Sequence, residues 1–227
     1  MTQSHVPSRL AEARLYAILD TAYVSFGNWR SVCADLIAGG AAIVQVRAKH
    51  SRPEERDELV REVLPLFEES SGRAPQLIIN DDVELCARYP ITGLHIGQDD
   101  TPPTEARRRI GPDRVIGLST HSFEQARAAD ALAGTIDYFC VGPVFATQTK
   151  PDYTPVGPEL VRRVSAMKPR LPWFAIGGIN RLTLREVLAA GASRVVVVSD
   201  LLCASSPREA ATEHIRALRS PTPFPPQ

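Results

Sequence analysis

The sequence lacks an excess of charge of either sign, since 26 lysine and arginine residues balance 26 aspartate and glutamate residues. A basic excess would favour binding to nucleic acid or to a membrane surface, so neither partner is expected. The sequence also lacks an apolar run of the roughly 20 residues that a membrane-spanning helix needs, and its polar N-terminus lacks the apolar core of a signal peptide. We therefore expect a soluble cytoplasmic protein that acts on small molecules.

Cysteine is scarce, and its spacing excludes the common cysteine motifs. Cys33, Cys86, Cys140 and Cys203 form no CxxC pair, and the five histidines show no HxxxH spacing. This pattern predicts buried thiols in a reducing compartment rather than a disulfide scaffold or a structural zinc site. The sequence also has no P-loop and no early GxGxxG turn after its first apolar run.

Apolar, β-rich runs recur along the whole chain with amphipathic helical stretches between them. Most are continuously apolar, as strands covered on both faces should be. Eight such strand–helix units in 227 residues predict a single (β/α)8 TIM barrel, which typically needs roughly 250 residues. The alternative is an open doubly wound sheet, which is expected to have a GxGxxG turn after its first strand, and this sequence lacks that turn. The eight runs are residues 15–20, 43–48, 77–80, 94–96, 115–119, 138–144, 173–176 and 195–199.

Helix signals and the termini complete the predicted organisation. Capping boxes are expected at residues 51–54, 122–125 and 183–186, and Pro65 should kink or break its helix. We expect residues 1–14 to form an N-terminal extension, residues 15–219 the barrel, and residues 220–227 a disordered proline-rich tail. Glycines that should end helices are Gly39, Gly40, Gly72, Gly134 and Gly191.

Uncommon polar residues collect where the predicted strands end, which is where barrel active sites lie. Gln45, Arg47 and Lys49 alternate with Val46 and Ala48, so the three polar side chains project to one side. Cations that point into a barrel are costly unless an anion meets them. The anion could be a substrate or an internal carboxylate, and an outward-facing solvated edge is equally compatible with the triplet.

Carboxylates follow the next two predicted strands. The third strand ends in Asn80-Asp81-Asp82, and the fourth leads to Asp99-Asp100. Carboxylates at neighbouring strand ends can share Mg²⁺ with phosphate oxygens. The alternatives are helix capping by Asp81 or Asp82 and an ordinary turn at Asp99-Asp100.

The remaining strand ends predict a second anion site. The glycine pair Gly177-Gly178 follows the seventh strand and Ser199 ends the eighth, a position where barrels often bind phosphate through backbone N–H groups. His121, after the fifth strand, is either a ligand-facing residue or a helix-start residue. The loop after the sixth strand adds two hydroxyls and an ammonium, Thr147, Thr149 and Lys150.

These segments resemble the thiamine-phosphate synthase family, in order and spacing, over residues 15–207. The segments that carry the resemblance are Gln45-x-Arg47-x-Lys49, Asn80-Asp81, His95-Ile96-Gly97-Gln98-x-Asp100, Gly117-Leu118-Ser119, Gly142-Pro143-x-Phe145-x-Thr147-x-Thr149-Lys150, Ala175-Ile176-Gly177-Gly178-Ile179 and Val198-Ser199. The resemblance implies a transferase that joins 4-amino-2-methyl-5-(diphosphooxymethyl)pyrimidine to a thiazole phosphate, giving thiamine phosphate and pyrophosphate.

The resemblance also implies a role for each matching residue. Asp81 and Asp100 would hold Mg²⁺, the implied cofactor. The phosphate of the thiazole would rest on Gly178, Val198 and Ser199, with Thr147 and Thr149 beside it. Contacts to the pyrimidine diphosphate would come from Gln45, Arg47, Lys49, Asn80, Ser119 and Lys150, of which Arg47, Lys49, Ser119 and Lys150 would be catalytic.

Two other functions remain as alternatives. A related barrel isomerises a thiazole carboxylate phosphate without coupling, and it typically loses parts of the diphosphate and metal apparatus. A non-catalytic barrel that binds a phosphate ligand is the alternative of another class, although it would have little use for paired carboxylates beside cations. The implied partners are the two small-molecule substrates, and the sequence is compatible with a homo-oligomer.

Overall fold

Eight parallel strands lie side by side in chain order and close into a barrel, because β8 pairs with β1. The computed structural model describes residues 8–68, 75–149 and 153–220. The predicted (β/α)8 barrel is therefore confirmed, and the open sheet is wrong. The strands are β1 (Leu15–Asp20), β2 (Ile43–Arg47), β3 (Gln76–Asn80), β4 (Gly93–Ile96), β5 (Val115–Thr120), β6 (Tyr138–Val141), β7 (Trp173–Ile176) and β8 (Val195–Val197).

Two strands end at least two residues earlier than the apolar runs predicted, and β2 ends one residue earlier, at Arg47. The sixth run extends to residue 144, but β6 stops at Val141 because Pro143 has no N–H to donate to a neighbouring strand. The eighth run extends to Ser199, but β8 stops at Val197 because Ser199 is already the first residue of a short helix. Both differences place more loop at the carboxyl ends of the strands.

Helices follow the strands and cover the outside of the barrel. The predicted break at Pro65 is confirmed, since one helix ends at Val63 and the next begins at Pro65. Of the expected helix-ending glycines, Gly39 caps its helix, whereas Gly72 lies outside the described residues. The helices are α1 (Ser8–Glu12), α2 (Trp29–Ala38), α3 (Pro53–Val63), α4 (Pro65–Glu68), α5 (Val83–Arg88), α6 (Pro103–Ile110), α7 (Phe123–Ala131), α8 (Gly157–Met167), α9 (Leu184–Ala189), α10 (Ser199–Leu202) and α11 (Pro207–Arg219).

The three predicted capping boxes have different outcomes. Ser122 caps α7 as expected, accepting a hydrogen bond from the Gln125 N–H at 3.1 Å. The box at residues 51–54 is wrong by one position, because the Glu55 carboxylate accepts from the Arg52 N–H at 2.9 Å. The box at residues 183–186 is wrong because the Thr183 hydroxyl is engaged elsewhere, donating to the Gly178 carbonyl at 3.0 Å.

The core has two layers, one inside the barrel and one between the strands and the helices. Tyr16, Tyr138 and Phe174 are fully buried inside the barrel. Leu10 of α1 packs into the same cluster at the amino ends of the strands. Because the strands contribute side chains to both layers, their sequences are apolar without alternation.

The cysteine prediction holds for three residues and is wrong for the fourth. Cys33, Cys86 and Cys140 are buried, and all four thiols are unbridged. Burial raises the pKa of the Cys33 thiol to about 12 and that of Cys86 to about 11. Cys203 is exposed because it follows the short helix α10 at the protein surface.

Within the described ranges, every helix is too short or too polar to span a bilayer.

Candidate active site

One cavity opens at the carboxyl ends of the strands and gathers the predicted site residues from seven of the eight strand ends. Only the proposed ligand Lys150 cannot be placed, because it lies outside the described residues. The predicted residues that line the cavity are Gln45, Arg47, Lys49, Asn80, Asp81, Asp100, Ser119, Thr147, Thr149, Gly178, Val198 and Ser199.

Arg47 forms a buried ion pair inside the barrel. Its Nη1 donates to Asp20 Oδ2 at 2.6 Å, and the two side chains are 10% and 2% exposed. Asp20 is fixed in turn by the Ala22 N–H, which donates to Oδ1 at 2.9 Å. An internal carboxylate therefore meets this cation, one of the three interpretations that the triplet left open. Asp20 was missed by the sequence argument, although an acid at the end of an apolar strand is a recognisable signal.

Lys49 and two carboxylates form the outer part of the site. Lys49 Nζ lies 3.6 Å from Asp81 Oδ2, and the lysine side chain is half exposed. Burial, together with the hydrogen-bonding contact and the negative charge of Asp100, raises the pKa of Asp81 to about 6. Asp100 is oriented by the Gly97 N–H, which donates to its Oδ2 at 2.7 Å. Asp81 and Asp100 thus approach each other as predicted from their neighbouring strands.

The two other acids of these segments have different environments. Asp82 is a structural residue, since its Oδ1 accepts from the Leu85 N–H at 2.9 Å and caps α5. Its Oδ2 pairs with Arg56 Nη1 at 2.9 Å. Asp99 lines the cavity but is exposed. The capping interpretation therefore applies to Asp82, and Asp81 remains available to a ligand.

A chain of polar side chains crosses the barrel interior below these residues. Gln45 Nε2 lies 2.5 Å from the Tyr16 hydroxyl, which lies 3.0 Å from the Tyr138 hydroxyl. His95 continues the chain, with Nδ1 3.1 Å from Tyr138 and Nε2 2.9 Å from the Ser119 hydroxyl. Burial raises the pKa of both tyrosines far above the usual range, so both hydroxyls are protonated near neutral pH.

The loops after β5 and β6 form one wall of the cavity. His121 Nδ1 lies 2.5 Å from the Gly142 carbonyl oxygen, and its ring lies 4.5 Å from that of Tyr153. Across the opening, the Tyr23 hydroxyl lies 3.4 Å from the Thr149 hydroxyl. The loops after β1 and β6 therefore meet over the cavity.

Close approach of two loops explains the glycine pair after β7. Gly177 and Gly178 have φ values of +101° and +62°, which favour glycine. A Cβ at Gly178 would lie 2.6 Å from the Ala146 carbonyl oxygen and 2.7 Å from the Phe145 Cβ. A side chain here would thus first displace the loop after β6, rather than simply fill the space of a ligand.

Asp200 connects the loops that follow β7 and β8. Asp200, in α10, accepts a hydrogen bond at Oδ2 from the Arg181 N–H at 3.2 Å. The same oxygen lies 3.3 Å from Nε2 of the fully buried His214 of α11, without hydrogen-bond geometry. Gly178 and Ser199 are therefore carried by loops that share one carboxylate.

Two chemically different regions face the same cavity. One combines Arg47 and Lys49 with the Asp81–Asp100 pair, and the other consists mainly of backbone around Gly178 and Ser199. Within residues 8–68, 75–149 and 153–220, no three histidine, cysteine or carboxylate side chains are grouped as a metal site. A metal here would thus depend on two carboxylates and on oxygens from a ligand or water.

The family model and the curated relatives that match this sequence carry the same description. The family model described as thiamine monophosphate synthase matches residues 15–201. A thiamine-phosphate synthase from Thermobifida fusca is 43% identical over 211 residues, covering 92% of this chain and 94% of the relative. One from Mycobacterium leprae is 42% identical over 221 residues, covering 93% of each.

Solved structures agree with these sequence matches. A thiamine phosphate pyrophosphorylase from Pyrococcus furiosus superimposes with a TM-score of 0.73 at 27% identity, covering 92% of this chain and 96% of the other. A geranylgeranylglyceryl phosphate synthase from Thermoplasma acidophilum superimposes with a TM-score of 0.68 at 10% identity, covering 96% and 99%. At that identity the second likeness concerns the fold alone.

Proposed function

The chain belongs to the thiamine monophosphate synthase family, and on that premise we propose that its cavity couples a pyrimidine diphosphate to a thiazole phosphate. The products are thiamine phosphate and pyrophosphate. The observation that carries the proposal is the presence, in one cavity, of a cationic and carboxylate region beside a backbone-lined region. The first suits a metal-bound diphosphate, and the second suits a monophosphate.

Arg47 and Lys49 would bind the diphosphate in different ways. Asp20 holds one guanidinium nitrogen of Arg47, so the group is fixed in place and its remaining N–H donors can address an anion. Lys49 lies farther out on a flexible stem, 3.6 Å from Asp81. Its ammonium can turn from that carboxylate to a phosphate oxygen when substrate enters. Lys150 would add a third cation, and Gln45, Asn80 and Ser119 would contact the same substrate.

The residues present fit Mg²⁺. Two carboxylates are brought together with enough burial to raise the pKa of Asp81 to about 6, so a cation between them would relieve their repulsion. Oxygen ligands of this number match the way Mg²⁺ is usually held with substrate phosphates. When bound, the ion would neutralise charge on the diphosphate, and Asp81 and Asp100 would hold it.

The coupling itself needs no protein nucleophile. The bond between the pyrimidine methylene carbon and the diphosphate oxygen breaks, and the electron pair leaves with pyrophosphate. The thiazole nitrogen then donates its lone pair to the resulting carbocation. Arg47, Lys49 and Lys150 would stabilise the charge that develops on the leaving oxygen, and donors aimed at such charge can be worth on the order of 10²–10³ in kcat.

The thiazole phosphate would rest on the opposite wall. Backbone N–H groups near Gly178, Val198 and Ser199 would bind its phosphate, with Thr147 and Thr149 beside it. The shared contact of Asp200 with Arg181 would keep the two phosphate-binding loops at a fixed separation. This arrangement would place the thiazole nitrogen toward the pyrimidine methylene carbon.

The direct test is to mix the purified protein with both precursors and Mg²⁺ and to measure thiamine phosphate and pyrophosphate. We expect equal amounts of the two products, loss of turnover with EDTA and recovery with added Mg²⁺. Asp81→Asn and Asp100→Asn should lower kcat steeply without unfolding the protein. Asp99→Asn is the matched control. It removes the same charge from the residue next to Asp100, and Asp99 is exposed.

Three outcomes would contradict the proposal. Isomerisation of thiazole carboxylate phosphate without pyrophosphate release would identify the related isomerase instead. Binding of thiamine phosphate without turnover of the precursors would indicate a non-catalytic barrel. Full activity of Asp81→Asn without added metal would remove the assignment of the metal ligands.

A further inference from the structure

A chain of buried polar side chains crosses the barrel interior, and all of its members except Tyr138 also line the cavity. It runs through five side chains, Gln45, Tyr16, Tyr138, His95 and Ser119, and every link is between 2.5 and 3.1 Å. All five residues are buried, and Ser119, the most exposed of them, is 8% exposed. Three of them, Tyr16, Tyr138 and His95, have no place in the proposed substrate contacts. Their alignment therefore needs its own explanation, because buried polar groups are costly unless their hydrogen bonds are satisfied.

The amide nitrogen of Gln45 sets the direction of the protons. An amide NH₂ group can donate but cannot accept, so the Tyr16 oxygen accepts from Gln45. Both directions fit the remaining distances, but a buried hydroxyl also needs an acceptor for its proton, and the direction that provides one for both tyrosines has Tyr16 donating to Tyr138 and Tyr138 donating to His95 Nδ1. This arrangement uses each tyrosine hydroxyl once as acceptor and once as donor. With Nδ1 accepting, a neutral His95 carries its proton on Nε2 and donates it to the Ser119 oxygen.

We infer that this chain holds the hydroxyl of Ser119 as a hydrogen-bond donor to the pyrimidine diphosphate, with Tyr16, Tyr138 and His95 as positioning residues. Because the Ser119 oxygen accepts from His95, its own proton is directed away from the histidine and toward the cavity that Ser119 lines. The Gln98 amide further restrains this segment by donating to the Ser119 carbonyl at 2.6 Å. The inference rests on the proposed function for the identity of the acceptor.

A reversed chain would have the opposite consequence. If His95 carried its proton on Nδ1, Nε2 would accept the proton of Ser119, and the serine could offer substrate only its lone pairs. An anionic leaving group would then face an acceptor, which is unfavourable. The direction of the chain thus decides whether Ser119 supports or opposes departure of the diphosphate.

The kinetic test removes one oxygen from the middle of the chain. Tyr138→Phe should lower kcat about tenfold, the order expected for loss of one hydrogen bond in the transition state. In a Ser119→Ala background the same substitution should have no further effect on kcat, because its effect passes through Ser119. Tyr89→Phe is the matched control, since it removes a tyrosine hydroxyl that donates to Asp57 Oδ2 at 2.8 Å, away from the polar chain. Its kcat should equal that of the wild type.

The spectroscopic test reads the tautomer of His95 directly. ¹⁵N NMR of the histidine-labelled protein should show His95 as the Nε2–H tautomer in the wild type and as a mixture of tautomers in Tyr138→Phe. A wild-type Nδ1–H tautomer would overturn the inference. An equal loss of kcat on introducing Tyr138→Phe into the wild type and into Ser119→Ala would also overturn the inference. A protein that shows the expected tautomer but makes no thiamine phosphate would refute the proposed function and leave the direction of the chain standing.

Discussion

Removal of Asp20 is predicted to destabilise the protein because it leaves the guanidinium of Arg47 buried without its partner. Asp20→Asn keeps the size of the side chain and an oxygen that can accept from the Ala22 N–H, while it replaces a carboxylate oxygen 2.6 Å from Arg47 Nη1. An amide NH₂ in that place would face the guanidinium donor to donor. The substitution therefore isolates the charge pair from the packing around it.

The expected size of the effect follows from the burial of both partners. Breaking a buried ion pair by removing one partner costs about 3–5 kcal/mol. We expect about 3 kcal/mol here, the lower end of that range, because Arg47 borders the cavity, where water can reach part of the guanidinium. With an m value of about 2 kcal/mol/M in urea, this corresponds to a midpoint about 1.5 M lower.

Equilibrium unfolding in urea, followed by circular dichroism, provides the assay. Arg47→Met should be destabilising as well, and the double variant should lose less than the sum of the two by about 2 kcal/mol, since neither charge then remains alone. Glu105→Gln is the matched control, because it breaks an exposed pair with Arg108 of nearly the same length, 2.7 Å. Its midpoint should not change. Additive losses in the double variant would show that Asp20 and Arg47 act independently and would refute the reasoning.

The other predictions concern the two proposed anion sites. Gly178→Ala should lower the thermal midpoint and raise KM for the thiazole phosphate more than for the pyrimidine diphosphate, because the new Cβ would lie 2.6 Å from the Ala146 oxygen; equal changes in both KM values would contradict this placement. Since burial and a neighbouring carboxylate raise the pKa of Asp81 to about 6 in the metal-free protein, a proton must leave before Mg²⁺ binds. Calorimetry should therefore find Mg²⁺ binding about tenfold weaker at pH 5 than at pH 7, with the pH dependence lost in Asp81→Asn. Asp200→Asn should raise KM for the thiazole phosphate and leave kcat unchanged, whereas an effect on kcat alone would mean that its contact with Arg181 does not position the phosphate-binding loops.

The barrel was predictable because its strands are buried on both faces. Each predicted run contains or overlaps one observed strand, and the connections have the length that parallel neighbours require. Helix starts were less predictable, because a capping residue can serve a neighbouring loop instead. Thr183 has the right type and spacing for a capping box, but its hydroxyl binds the Gly178 carbonyl. Such competition depends on residues brought together by the fold and is invisible to a local pattern.

The site was predictable to the extent that its chemistry appears at strand ends. Alternation placed Gln45, Arg47 and Lys49 on one side of a strand, and chain order placed Asp81 near Asp100. The sequence could not separate Asp81 from Asp82, since both follow the same strand. The structure separates them because Asp82 caps α5 and pairs with Arg56. The outward and inward orientations of adjacent residues are thus decided by the start of the next helix.

The interior polar chain could not be predicted from the sequence because its members resemble core residues. Tyr16 and Tyr138 lie inside apolar strands, where an aromatic ring is ordinary, and their hydroxyls meet only because the barrel closes. His95 has the same ambiguity, since its segment matches the family without indicating what either ring nitrogen contacts. Closure of the barrel converts three unremarkable strand residues into a connected path between Gln45 and Ser119. A residue that fixes proton positions at a distance therefore becomes visible only in three dimensions, and its role is tested best by the loss of its effect when Ser119 is absent.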